Sequence, residues 1–300
     1  MGELATNSLE RGLALMKAIG GKRGGLTNAE LSRALAIPKS TCTYILTRLE
    51  KDGLVVRNKM TSRYKIGLKT LVLAHDALRE IGFHAIAEPA LYRLADNSKL
   101  VAILGVLEGD RVLTVDRVES PEFMQDAAEA GRSRWPYYPA RDQRDIGSEL
   151  SLQASSIGRV VLAFQPRAEM RALLDKLELT KFTAKTITSK KELLAELKKI
   201  RAQGYAITDQ QAHLDTLAIA APIFDRNGEV RAALCVGGSR ILPAFDDMPR
   251  LIKLVKDAAR DISNRMMQPL MLRHLDEIQP AAEKADLRNK AAKAGKRLAS

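Results

Sequence analysis

Cysteine, histidine and tryptophan are scarce in this chain: two, four and one in 300 residues. Cys42 and Cys235 both lie in apolar stretches, so no disulfide framework is indicated and a reducing cytoplasm is expected. His75, His84, His213 and His274 have no ligand-like spacing and no neighbouring cysteine, which argues against a metal site. No apolar run reaches the roughly 18 residues that a membrane span needs, and the opening MGELATNSLERG lacks the apolar core of a signal peptide. Val236-Gly237-Gly238-Ser239 is rich in glycine but has no Lys-Ser/Thr after it, so it is no P-loop. Asp209, His213 and Ser155 show no spacing that supports a hydrolytic set. No catalytic residue, cofactor, metal or membrane contact is therefore expected, and the chain reads as soluble, cytoplasmic and not an enzyme.

Acidic residues are also scarce where basic ones gather. The formal net charge is +12, from 48 Lys and Arg against 36 Asp and Glu. Residues 1–67 hold 12 of those cations and 5 of the acids, and the last 20 residues hold 6 and 2, so the middle of the chain is close to neutral. A basic N-terminal unit joined to a neutral one suits a nucleic-acid module attached to something else.

The basic unit has internal grammar. In LTNAELSRALAIPKSTCTYILTRLEKDGLVVRNKMTSRYKIG, residues 26–67, Thr27 and Glu30 are spaced as a capping box. Leu31, Ala34 and Leu35 then give one apolar face. Pro38 disfavours helical geometry in the residue before it and is favoured at the start of a new helix. A second helix is predicted from about Pro38 to about Asp52, with Gly53 suited to a left-handed cap. Cys42, Ile45, Leu46 and Leu49 follow the spacing of a buried stripe. Lys39, Ser40, Thr43, Tyr44, Thr47 and Arg48 fall opposite, with no acid before Glu50. A hairpin follows, with Arg57, Lys59, Arg63 and Lys65 around its tip. This is the pattern of a winged helix-turn-helix. Lys39, Ser40, Thr41, Thr43 and Tyr44 are the candidates for base edges or nearby phosphate, and Arg48, Arg57, Lys59, Arg63 and Lys65 for phosphate.

Beyond residue 67 an amphipathic linker helix is predicted over 68–83, carrying Leu68, Leu71, Val72, Ala74, Leu78 and Ile81, with another helix at about 85–97. Two strands then meet at Glu108-Gly109-Asp110, and a further strand is predicted near 123–130. Helices near 156–164, 167–176 and 190–203 precede two strands, 217–224 and 230–237, separated by a turn containing Asn227-Gly228. A long helix over about 248–275 is the last predicted element. Strands joined mostly by hairpins, mixed with helices, argue for an α+β domain around an antiparallel sheet. The domains are expected at 1–67, 68–84 (linker) and 85–278, with a basic tail at 279–300 read as disordered or a frayed helix.

The motifs SLERGLALMKAI, GLTNAELSRALAIPKSTCTYILTRLEKDGLV, RYKIG, VDRVES, LQASSIGRVVLAF and RAQGYAITDQQAHLDTLAIAAPIFDRNGEVRAALCVGG, in that order, resemble the IclR family of bacterial transcription regulators. The resemblance covers roughly residues 7–265. It implies a winged helix-turn-helix, a linker helix and a GAF-like domain for a small effector. It also implies partners: double-stranded operator DNA, and further copies of the chain as a homodimer or homotetramer. Members of the family repress or activate genes, often for catabolism of organic and aromatic acids. By the same resemblance the effector pocket includes Ala154, Ser155, Ser156 and Ile157. An acidic pocket position of the family falls on Thr208, a frequent cysteine on Ala218, and two positions often held by serine on Cys235 and Gly237. These departures imply a larger, less polar pocket than one for a two- or three-carbon acid. An apparent insertion over 133–147, holding Trp135, is read as a lid or an oligomer contact.

The resulting expectation is a ligand-responsive transcriptional regulator, a repressor of a catabolic operon, on an inverted-repeat operator. A hydrolase with a basic accessory domain is the alternative from another class, and a nonspecific nucleic-acid binder is a third.

Overall fold

The computed structural model describes residues 7–22, 24–123 and 145–267. Its first unit begins with α1 (Ser8–Gly20), opened by an Asn7–Glu10 capping box. The two-residue strand β1 (Leu26–Thr27) leads into α2 (Asn28–Leu35), and the Thr27–Glu30 capping box forms as the spacing predicts. Ala36, in the left-handed region at φ 52°, ends α2 and turns the chain. Pro38 is extended and lies just outside α3 (Lys39–Lys51) rather than being its first residue. The prolyl ring thus serves the corner, and the helix starts one residue later. β2 (Val55–Arg57) and β3 (Arg63–Ile66) form the wing, in a sheet of order β1-β3-β2. Leu15, Ile19, Leu31, Cys42, Ile45, Leu46, Val55 and Tyr64 make the core. Ala34, expected on the apolar face of α2, is exposed.

The linker α4 (Thr70–Ile81) ends at Gly82 in the left-handed conformation and is followed by α5 (His84–Ser98). Beyond it lies a sheet of β4 (Val101–Glu108), β5 (Arg111–Glu119), β6 (Glu149–Leu150), β7 (Ala206–Asp209), β8 (Thr216–Phe224) and β9 (Val230–Ser239). The order is β6-β5-β4-β9-β8-β7, and every neighbouring pair is antiparallel. α6 (Ser156–Phe164), α7 (Arg167–Lys176) and α8 (Lys190–Gln203) cover one face. α5 and α9 (Met248–Met267) cover the other. Val101, Ile103 and Cys235 pack towards α6, while Ala102, Leu104, Leu234 and Val236 pack towards α5 and α9. Burial on both faces explains why β4 and β9 read as unbroken apolar runs instead of alternating ones.

The hairpin at Glu108 closes with two residues, Gly109 at φ 62° and Asp110. The turn at Asn227-Gly228 is longer than a two-residue loop. Asp225 Oδ1 accepts the amides of Asn227 and Glu229, and of the central pair only Gly228 is left-handed. Among the described residues, no helix is long and apolar enough to cross a membrane. Nearly all of the strand expected at 123–130, most of the 133–147 segment with Trp135, the extension of the last helix to 275, and the tail at 279–300 lie outside the described residues.

Candidate functional site

α3 presents Lys39, Ser40, Thr43, Tyr44, Thr47 and Arg48 to solvent, while Thr41 is half-exposed at the edge of that face beside Arg48. The Arg48 guanidinium lies 4.9 Å over the Tyr44 ring, a cation–π contact that holds both side chains on the outer face. Thr43 is fixed by Asn28, whose Nδ2 donates to Thr43 Oγ1 at 2.6 Å. The outer surface keeps its cations because Glu50 lies at the far end of the helix. No acidic side chain stands on the first three turns of α3.

In the wing, Asn58 Oδ1 accepts the amides of Met60 and Thr61 and closes the tip. Lys59 and Lys65 are exposed, and Arg57 is exposed with its guanidinium 5.7 Å over the Tyr64 ring. Arg63 is placed differently from a phosphate contact. Its Nη1 donates to Gly25 O at 2.8 Å and to Glu30 Oε2 at 3.1 Å, and its Nη2 to Glu30 Oε1 at 3.0 Å. These bonds tie the wing to the start of α2. The Thr27 amide and hydroxyl, and then Arg63, hold the Glu30 carboxyl below its ordinary value of 4.5. A capping box that the sequence reveals is therefore also the anchor of the wing, which the sequence does not reveal.

In the second unit, Ser155 caps α6: its Oγ accepts from Gly158 N at 2.9 Å and donates to Ser151 O at 2.7 Å. The Ser155 hydroxyl hydrogen is thus committed to the backbone. Ser156 keeps its hydroxyl, and the amides of Ser156 and Ile157 have no intrahelical acceptor by helix geometry. Gly158 lets the helix sit against the preceding turn, since a Cβ there would come within 2.3 Å of Ser151 O. That approach sets the helix start in the wall of a cavity of about 570 Å³.

All eight positions expected around an effector line this one cavity: Ala154, Ser155, Ser156, Ile157, Thr208, Ala218, Cys235 and Gly237. Three come side by side by strand register, Thr208 pairing with Ala218 and Ala218 with Gly237. A Cβ at Gly237 would meet Ala218 Cβ at 3.3 Å, so the floor is open because both residues are small. Phe182, Glu149, Ala212, His213 and Thr216 also line it. His213 sits in the loop between Asp209 and Asp215 that borders the cavity. Phe182 gave no signal, because it sits in the irregular connection between α7 and α8.

Behind the wall lies Arg159, on α6 and fully buried. Its Nε donates to Gln153 O at 2.5 Å, and its Nη2 donates to Gln211 Oε1. Burial pulls the guanidinium down to about 10, with the charge of Glu196 opposing. Thr183 Oγ1 donates to Gln210 O at 2.6 Å and Thr186 Oγ1 to Gln211 O at 2.7 Å. Together these bonds fix the segment that carries Ala212 and His213 into the cavity. Among the described residues, no group of three or more His, Cys, Asp or Glu is placed to hold a metal ion.

Comparison with known proteins matches both units. Residues 8–59 fit the IclR helix-turn-helix domain, and residues 136–264 fit the bacterial transcriptional regulator IclR C-terminal domain. The Pca regulon regulatory protein of Pseudomonas putida is 30% identical over 261 residues, 86% of this chain and 84% of that protein. The acetate operon repressor of Salmonella typhimurium is 25% identical over 258 residues, 85% of this chain and 88% of that protein. A crystal structure of an IclR homologue complexed with 4-hydroxybenzoate, from Microbacterium hydrocarbonoxydans, superposes with a TM-score of 0.70 at 21% identity. It covers 87% of this chain and 99% of that one.

Proposed function

The chain belongs to the IclR family of bacterial transcriptional regulators, and we propose that it is a ligand-controlled repressor that binds an inverted-repeat operator as a dimer or tetramer. The family and its relatives are regulators and not enzymes, which removes the hydrolase alternative. The observation that carries the ligand half of the proposal is the meeting of eight separated residues around one cavity at the start of α6. Amides at a helix start favour an anion. A cavity of about 570 Å³ with Ile103, Ile157 and Phe182 in its walls favours an aromatic or medium-sized organic acid over a two-carbon one. 4-Hydroxybenzoate, the compound in the Microbacterium complex, has that chemistry and is the first probe. The acetate operon relative is the support for repression.

On the DNA side, α3 enters the major groove with Lys39, Ser40, Thr43 and Tyr44 towards base edges. Arg48, Arg57, Lys59 and Lys65 take phosphate, and Arg63 positions the wing. Leu68, Leu71 and Val72 are 81%, 62% and 56% exposed, and this stripe on the linker is the surface offered to a second copy. Two-fold pairing sets half-sites one helical turn apart or a multiple of it. A regulator that meets both DNA and organic acids would act in the cytoplasm, which the family match supports. Ligand changes DNA affinity only by favouring one of two arrangements of the paired domains.

The test is a footprint upstream of neighbouring genes, then titration of that site with and without organic acids, 4-hydroxybenzoate first. A bounded footprint whose occupancy falls with an acid is expected. A footprint that no acid weakens would remove the effector role, and unbounded protection would leave only nonspecific binding.

A further inference from the structure

The Thr43 hydroxyl on α3 is not free to rotate. It has a single hydrogen, which it donates to Lys39 O at 2.9 Å, the carbonyl one turn back. It also accepts from Asn28 Nδ2 at 2.6 Å, and the same amide nitrogen donates to Lys39 O at 3.3 Å. Reversing the amide would set its oxygen against the Lys39 carbonyl oxygen, so the nitrogen must face α3. Asn28 Oδ1 is the one buried side-chain oxygen or nitrogen without a hydrogen-bond partner among the described residues. The two bonds from its nitrogen, to Thr43 and to Lys39, hold the amide in this otherwise unfavourable place. With the hydroxyl drawn against the backbone and against α2, the γ-methyl is the group that exposed Thr43 presents outwards. Thr47 repeats half of the device: its Oγ1 donates to Thr43 O at 2.8 Å.

We infer that Thr43 is a specificity-determining residue that reads the 5-methyl group of a thymine in the major groove, and that Asn28 is the positioning residue that turns it. The inference rests on the DNA-reading role proposed for α3. Thymine alone presents a methyl group on the major-groove edge, and a threonine methyl is a suitable apolar partner for it. A hydroxyl whose one hydrogen is already donated cannot donate to a base-edge acceptor, so position 43 reads such an edge by shape and apolar contact.

The experiment uses the full-length protein and a randomised duplex library to recover its preferred sequence. Each thymine of that sequence is then replaced by uracil, which removes only the methyl, and binding is measured by fluorescence anisotropy. One thymine per half-site should weaken binding about fourfold on replacement, the equivalent of ~0.8 kcal/mol for one buried carbon. Thr43→Ser, which keeps the hydroxyl and lacks the methyl, should bind the thymine and uracil duplexes alike. Thr43→Val, which keeps a methyl and lacks the hydroxyl, should retain the preference, and Asn28→Ala should reduce it. Each variant is compared at an unfolding temperature matching the parent. The inference is overturned if no thymine is sensitive in the parent, if Thr43→Ser keeps the sensitivity, or if Thr43→Val loses it. Failure to enrich any sequence overturns the DNA-reading role itself, and this inference with it.

Discussion

Replacing Gln211 by glutamate should stabilise the C-terminal domain, because it sets a carboxylate in direct contact with a buried cation whose nearest charge partner, Glu196, makes no ion pair with it. Arg159 is fully buried, and that burial pulls its guanidinium down to about 10. Gln211 is half-buried and its Oε1 already accepts from Arg159 Nη2. A unit charge at about 4 Å in an effective dielectric of ~20 attracts by about 4 kcal/mol. Partial desolvation of the new carboxylate opposes that gain, leaving about 1–2 kcal/mol net. For a domain of this size the unfolding temperature should rise by about 3–6 °C near pH 7. The new carboxyl has its folded pKa lowered by the cation. Its contribution is therefore complete above its unfolded value near 4.3, and is lost as pH falls through the folded value. The assay is thermal and urea unfolding of the parent, Gln211→Glu, Arg159→Met and the double variant. The reasoning is refuted if Gln211→Glu lowers stability at pH 7, or if it adds as much in the Arg159→Met background as in the parent.

Three further outcomes are expected. Arg63→Ala should lower the unfolding temperature of the DNA-binding domain and leave the salt dependence of operator binding unchanged; Lys65→Ala should do the reverse, reducing the log–log slope by about one, as titrations over a range of salt would report. The Glu30 carboxyl, held below 4.5, contributes stability that is complete above that value and lost as pH falls through the lowered one, so the unfolding curves of the parent and Glu30→Gln should converge in acid. Gly237→Val should close the floor of the cavity against Ala218 and abolish any ligand-induced thermal shift while the apo protein keeps its fold. Calorimetry on parent and variant checks it.

The sequence made the helices legible because their ends carry chemical marks. The Thr27–Glu30 box, the Ser155 cap and the left-handed Gly204 after α8 all sit where capping rules put them. The two-residue strands β1 and β6 were invisible, since two residues have no period. β7 was missed for a related reason: Ala206–Asp209 alternates in burial but spans only four residues. The cavity positions could be named because local motifs mark them, but their convergence depends on strand register, which no local pattern contains. Arg63 shows the remaining gap. In sequence it is one of four cations around a wing, and only the fold places Glu30, 33 residues away, against it. Arg159 hid for the same reason, since nothing in SSIGRVVLAF says that its side chain turns inwards.

The sheet between the ligand cavity and the linker is a single layer of backbone. Ile103 and Cys235 line the cavity, while their immediate neighbours Ala102, Leu104, Leu234 and Val236 belong to the opposite core with Leu91 and Leu94 of α5. Along the chain, Cys235 is more than a hundred residues from α5; across the pleat it is one residue's alternation away. β4 and β9 thus carry the cavity wall on one side and, on the other, the core that holds α5, the helix next after the linker α4. The cavity and the core under α5 are therefore separated by the thickness of the sheet alone, and the small residues Ala218 and Gly237 keep the cavity side of it open.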